Sequence, residues 1–286
     1  MGAGYLCVTL RCGAEKHSLT HDHPLPSPPH THTHTHTHTH THTYIHTTLS
    51  HTFRYDARAK IKIMTLLGFQ ARVDEADIPC KGITDIAAAD HAYARQLKAT
   101  IKLLGVSKRV PGPGGEGKDG GEGAVAVFVS PMLVDNENTI AKCSLATNIV
   151  QVDSQFMGTS SFIGQGAGRF PTANSIVSDL VHIAQDACPA PFPDVKDVVI
   201  DNNFSARFYV RLNVKDQLGI IRITGQLCED NNVSIHAILQ TPIDDPDNVA
   251  FAITTEPCLL SQVEALCASL SSQEFSNGAP FFMPFL

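Results

Sequence analysis

No run of about eighteen apolar residues occurs in the chain, so the sequence offers no helix that could span a bilayer. Runs of Lys and Arg are missing too, and the formal net charge is −7. That removes the usual electrostatic reason to expect nucleic acid or an anionic membrane as a partner. Cysteine is present but unpatterned. Cys7, Cys12, Cys80, Cys143, Cys188, Cys228, Cys258 and Cys267 are scattered, and none belongs to a C-x-x-C. This spacing fits neither a disulfide framework nor a zinc site, so reduced thiols and no metal centre are expected. Met1 to Leu10 is apolar but lacks a basic start and a long apolar core, so no secretory signal is expected. The cytoplasm is the expected location, with organellar targeting left open. What remains is a globular composition, 43% apolar over 286 residues, long enough for two modest domains.

Twelve of the fifteen histidines lie at or before His51, and His30 to Thr43 alternates His and Thr strictly. Such a tract has no apolar face at either period, so disorder is expected over residues 1–52. Alternating imidazoles could collect transition metals. The stronger reading is a translated (CA)n repeat, which encodes alternating His and Thr.

The chain is organised around Gly164-Gln165-Gly166-Ala167-Gly168, which runs into Arg169-Phe170-Pro171-Thr172 and then an amphipathic stretch. Ile176, Val177, Leu180, Val181 and Ala184 recur at helical spacing, and Thr172 is the expected N-cap with Pro171 just outside. Bare glycine N–H groups before a helix suit an anion or the close approach of a cofactor. A dinucleotide fingerprint would need glycine at position 169, where Arg169 stands. The full string G-x-G-A-G-x-x-P-T-A-x-S-x-V-x-D-L resembles the segment that closes the catalytic domain of homoserine dehydrogenases.

Upstream, Tyr55 to Phe69 has a helical pattern, with Ala57, Ile61, Met64 and Leu67 on one face and Gly68 near the end. Asp56 and Lys60 stand at i, i+4. Taken alone they form a surface ion pair worth a fraction of a kcal/mol. The resemblance gives them more. Homoserine dehydrogenases carry G-x-D-x-x-x-K here, and Asp56 and Lys60 match the Asp that binds substrate and the Lys that handles the hydroxyl proton. Arg54 replaces the glycine.

Cys80-Lys81-Gly82-Ile83 resembles the family's E-G-I step with Lys81 in place of the acid. Ala87 to Lys98 is expected as a helix, and Ile101–Val106 and Ala124–Val129 as strands. Asn148 falls on an Asn of the family pattern. Gly112 to Lys118 spells G-x-x-x-x-G-K, but Asp119 occupies the Ser/Thr place and prolines and glycines flank it. It is expected as a flexible insertion and not a phosphate loop.

Beyond the proline-rich Cys188 to Pro193, elements are expected in the order βαββαβ: Ala206–Val214, Ile220–Asp230, Val233–Gln240, Val249–Thr255, Leu259–Leu270 and Pro280–Met283. Asp216, Gly219 and Asn232-Val233-Ser234-Ile235 resemble an ACT regulatory domain. The resemblance makes Asp216, Gly219 and Asn232 candidate contacts for an amino-acid effector such as threonine.

The expected architecture is therefore α+β. A disordered segment (1–52) precedes a mixed-sheet catalytic and dimerisation domain (53–187), a linker (188–203) and a ferredoxin-like ACT domain (204–286). The family resemblance implies NADP- or NAD-dependent interconversion of L-homoserine and L-aspartate 4-semialdehyde, in threonine, methionine and isoleucine synthesis, by a homodimer or higher oligomer. It places Lys60 as catalytic, Asp56 on the substrate, and Gly166, Gly168 and Thr172 near the cofactor. The family's nucleotide-binding half has no counterpart motif here. The alternative is a non-catalytic ACT-bearing amino-acid-binding or dimerisation protein.

Overall fold

The computed structural model describes residues 5–9, 49–112, 123–144, 147–187, 194–196, 198–240 and 245–286. The His-Thr alternation and the G-x-x-x-x-G-K insertion lie outside these residues, save Gly112. The first sheet has five strands in the order β3-β2-β1-β4-β5. They are β1 (Tyr5–Thr9), β2 (Ala99–Val110), β3 (Ala124–Asp135), β4 (Thr147–Ser154) and β5 (Gly158–Gln165). Every ladder in it is antiparallel. The expectation of a mixed sheet is thus corrected. Strands β2 and β3, and β4 and β5, are chain neighbours paired antiparallel, the arrangement of hairpins. Parallel pairing among the described residues is confined to four isolated bridges, three of them on β3. The expectation of disorder across residues 1–52 also needs correction, because β1 pairs with both β2 and β4.

Helix α1 (Leu49–Phe69) lies on one face of this sheet. Ala57, Ile61 and Thr65 are buried one turn apart, against Val125, Val127 and Val129 of β3. Thr65 sits where the apolar pattern pointed to Met64 and Leu67, and it satisfies its hydroxyl by donating to the Ile61 carbonyl at 2.7 Å. Gly105 of β2 permits the close approach, since a Cβ there would lie 3.0 Å from the Ile61 Cβ. The helix stops at Gln70, which takes φ 57°, and not at Gly68.

Strand β3 runs on through Pro131 to Asp135, beyond the expected end at Val129. Proline is tolerated because β3 is an edge strand. The outward N–H groups of Val125, Val127 and Val129 are taken by the Val199 carbonyl, Asn202 Oδ1 and the Pro79 carbonyl. Pro131 stands at the next outward position, where no N–H needs a partner. The same contacts revise the expected linker. Lys196 donates to Gln70, and Val199 and Asp201 bond Val125, so this part of 188–203 is docked along the sheet.

The C-terminal region has β7 (Phe208–Val214), α5 (Ile220–Asp230), β8 (Ile235–Gln240), β9 (Val249–Thr255), α6 (Leu260–Ser271) and β11 (Phe281–Pro284). A two-strand pair of β6 (Ser205–Ala206) and β10 (Cys258–Leu259) lies beside it. The four-stranded order β11-β7-β9-β8, with antiparallel neighbours, is the split βαβ plan expected from the sequence. One continuous core joins this unit to the second face of the first sheet. Leu104, Val106, Phe128 and Met132 pack with Phe204, Phe208 and Val210. Cys80, Cys143, Cys228, Cys258 and Cys267 are free. Burial pushes Cys228 up to about 11 and Cys267 up to about 12, so both stay as unreactive thiols.

A polar joint fastens the two sheets. Helix α2 (Ala88–Gln96) carries Asp90, which is fully buried. Its carboxylate accepts from Tyr209 Oη at 2.7 Å, Arg211 Nε at 2.8 Å and the Ala87 N–H at 2.7 Å. Burial first, and the Asp90 hydrogen bond second, hold the Tyr209 hydroxyl far above its ordinary value. A raised folded-state value favours the protonated form. Its stabilising share is therefore whole below the unfolded value near 10 and is lost as pH rises past it. Wild type should lose urea resistance between about pH 10 and 11 relative to Tyr209→Phe, which cannot ionise. Parallel urea curves across that window check this, and the comparison cancels the lysines common to both proteins.

Candidate active site

Asp56 and Lys60 are brought together. On α1 the Lys60 ammonium donates to Asp56 Oδ2, with side chains 42% and 51% exposed respectively. They project from the flank beside the buried Ala57–Ile61 stripe, about 100° round the helix, and share that flank because i and i+4 lie on one face. The helix itself is anchored. Arg58 bonds Glu75 at 2.8 Å, tying α1 to the turn Glu75–Asp77, and the Cys80 thiol donates to the Arg54 carbonyl at 3.2 Å. Arg54 and Arg58 both lie over the Tyr55 ring, at 4.9 and 4.8 Å. One carboxylate oxygen of Asp56 is engaged by Lys60, and the other can accept from a ligand ammonium.

The glycine loop is elsewhere. It joins β5, at the far edge of the sheet, to α4 (Arg169–Ala184), whereas α1 rests on β1, β2 and β3. Among the described residues no contact links Gly166, Gly168 or Thr172 to Asp56 or Lys60. A Cβ at Gly166 would lie 2.0 Å from the Asn148 amide nitrogen, so a larger residue there would need the Asn148 side chain to swing away. Gly168 is the N-cap of α4 at φ 134°, a region that favours glycine. The expected cap at Thr172 is therefore corrected: Thr172 is already helical, and its N–H bonds the Gly168 carbonyl at 3.1 Å. Pro171 falls inside the first turn, where a missing N–H costs nothing.

The effector candidates are only partly gathered. Asp216 and Gly219 line a cavity of about 200 Å³ with Gln217, Arg222 and Gln240. Gly219 caps α5 at φ 90°. Asn232 lies past the other end of this eleven-residue helix, at φ 53°, and its carbonyl accepts from Gln262 at 2.9 Å. It does not line that cavity. Two features escaped the sequence reading. The Asp90–Tyr209–Arg211 joint was legible only as scaffold, although an acid at the third position of a helix is a capping signal. The other is an uncovered apolar surface: Phe162 on β5, and Phe170, Leu180 and Ile183 on α4, are 60–77% exposed.

No helix among the described residues is long and apolar enough to cross a membrane, and no cluster of metal-ligating side chains occurs among them.

An antiparallel α+β sheet unit bearing an Asp–Lys pair on its packed helix, joined to a ferredoxin-like unit, is the class these features define. Residues 54–181 match the family model for homoserine dehydrogenase. The chain is 30% identical over 203 residues to homoserine dehydrogenase of Bacillus subtilis, covering 68% of this chain and 44% of the relative. It is 31% identical over 226 residues to that of Mycobacterium tuberculosis, covering 74% and 50%. A homoserine dehydrogenase crystal structure from Thiobacillus denitrificans superposes with a TM-score of 0.69 at 24% identity, over 81% of this chain and 53% of that one. That likeness establishes the fold. Over residues 54–181 the chain is therefore similar to the homoserine dehydrogenases. It spans about half the length of these curated relatives.

Proposed function

We propose that this chain carries the substrate- and proton-handling part of an NADP- or NAD-dependent homoserine dehydrogenase. The observation that carries the reading is the Asp56–Lys60 pair, standing at the family's D-x-x-x-K on a helix fixed to the sheet. The bound nicotinamide would supply or accept the hydride. In the reducing direction, the carbonyl carbon of aspartate semialdehyde receives that hydride and its oxygen takes a proton from the Lys60 ammonium. Asp56 holds the substrate ammonium by a charge-assisted bond. Only a partial fit to the dinucleotide is present. Gly166, with its Cβ space taken up by Asn148, and Gly168 can bring backbone against a cofactor. The described strands are antiparallel and form no βαβ phosphate grip. This chain alone is therefore expected not to turn over. L-homoserine titrated calorimetrically should release a heat of binding that Asp56→Ala removes and Lys60→Ala largely keeps. Equal binding by wild type and Asp56→Ala would contradict the assignment.

The uncovered apolar side of β5 and α4 supports a homodimer, since an exposed edge strand and apolar helix face need a cover. Leu180→Glu combined with Ile183→Glu is expected to yield a monomer in sedimentation at concentrations where wild type is dimeric. An unchanged sedimentation coefficient would place the interface elsewhere.

A second reading rests on the Asp216–Gly219 cavity: an ACT-like unit that binds an amino acid, whether or not the chain catalyses. Gly219 opens the N-terminal end of α5, where a carboxylate is favoured. Threonine binding that fails in Asp216→Ala but survives Lys60→Ala would favour it.

A further inference from the structure

A further cavity stands apart from both sites above. It lies between the second face of the first sheet and the C-terminal unit, and encloses about 510 Å³. That is within the range of small-molecule pockets. Its wall is aromatic and apolar: Phe128 and Phe204 stack at 4.2 Å with an angle of 7° between planes, and Met132 and Phe285 line it too. Two cations enter this wall. Arg207 lies over the Phe285 ring at 4.8 Å, and its Nε is buried without a hydrogen-bond partner. Lys108 lies over the Phe204 ring at 4.8 Å and donates to the Ser205 carbonyl at 2.9 Å. Burial pulls the Lys108 ammonium below its usual range, a sign that its charge is poorly compensated.

Asp135 and Leu286, the last residue of the sequence, also line the cavity, and no ion pair to Arg207 is formed by either. Asp135, on the same lining, is exposed and accepts the Glu137 N–H at 2.8 Å. In the sheet register it pairs with Ala99, whereas Lys108 pairs with Ala126, nine residues further along β2. That separation is about 30 Å at strand rise. Glu256 is bonded to His236 at 2.8 Å. Among the described residues the Arg207 guanidinium forms no ion pair. A buried, unpartnered donor in an apolar chamber is costly unless an acceptor arrives.

We propose that this inter-sheet chamber is a binding site for a small carboxylate with an aromatic body. The carboxylate meets Arg207, with Lys108 adding positive field from the same wall, and the ring system lies among Phe128, Phe204 and Phe285. This site is separate from the Asp56–Lys60 pair and from the Asp216–Gly219 cavity, so it stands or falls independently of the enzyme reading.

The test is calorimetric titration of the full chain with 2-naphthoate and with the neutral 2-naphthamide. The acid should bind about tenfold or more tightly than the amide, because a charge-assisted bond is worth that factor. Arg207→Met, and separately Lys108→Met, should erase the preference while leaving the thermal midpoint near that of wild type. Equal affinities for acid and amide overturn the proposal without any variant. So does naphthoate binding that survives both substitutions, which would place it on the exposed α4 face, and so does an absence of binding.

Discussion

Lys60→Ala should lower turnover by about 10²–10⁴-fold, the usual worth of a positioned general acid or base. Because the chain lacks a dinucleotide grip among its described residues, the substitution is best made in a fusion. The full chain, β1 included, would follow the part of the Bacillus subtilis relative that it does not cover. The loss should fall on kcat, with KM for aspartate semialdehyde little changed, since Lys60 acts on a proton that moves only in the reaction. Asp56→Ala should instead raise KM, because it removes a contact to the substrate ammonium. If both variants change KM alone, Lys60 is a binding residue and the proton goes elsewhere. The pair's exposure does not argue against this role. Both side chains are half exposed on an anchored helix, which leaves them free to meet a ligand.

Asp90→Ala should be the most damaging single change to stability. It would leave Arg211, with a side chain 11% exposed, and the buried Tyr209 hydroxyl without their shared acceptor. Removing one partner of a buried charge pair costs about 3–5 kcal/mol. Urea unfolding should show the midpoint falling accordingly, with the two sheets separating first. That order would appear as early protease cleavage between α2 and β7. A loss below about 1 kcal/mol, the worth of an ordinary exposed pair, would mean the joint does not hold the sheets together.

The contrast between these two residues shows where the sequence was legible. Asp56 and Lys60 are four apart on a strongly patterned helix, so adjacency followed from spacing alone. Asp90 is more than a hundred positions from Tyr209 and Arg211, and nothing local announces their meeting. Helix α5 and strand β9 fall where the pattern placed them, Ile220–Asp230 and Val249–Thr255. Gly219 and a clean change of period mark their ends. Pro131 misled, because only a tertiary fact, the edge position of β3, makes it acceptable there. Pro171 misled likewise: it reads as lying outside a helix, yet the first turn has no acceptor waiting for its nitrogen. Strand β1 is five residues long, too short to carry a period, and exists by pairing with β2 and β4 on both sides. The resemblance to homoserine dehydrogenases carried the site where periodicity could not. It suggested the roles proposed for Asp56 and Lys60, and the match over residues 54–181 supports the family resemblance itself.

The most direct test of the central claim is NADPH oxidation with L-aspartate 4-semialdehyde, measured for the chain alone and for the same residues fused behind a nucleotide-binding half. The account predicts no turnover above the Lys60→Ala background for the chain alone, and turnover dependent on Lys60 in the fusion. Turnover by the chain alone that Lys60→Ala removes would show that it grips the cofactor unaided. Turnover in the fusion that survives Lys60→Ala would contradict the assignment of the proton to Lys60.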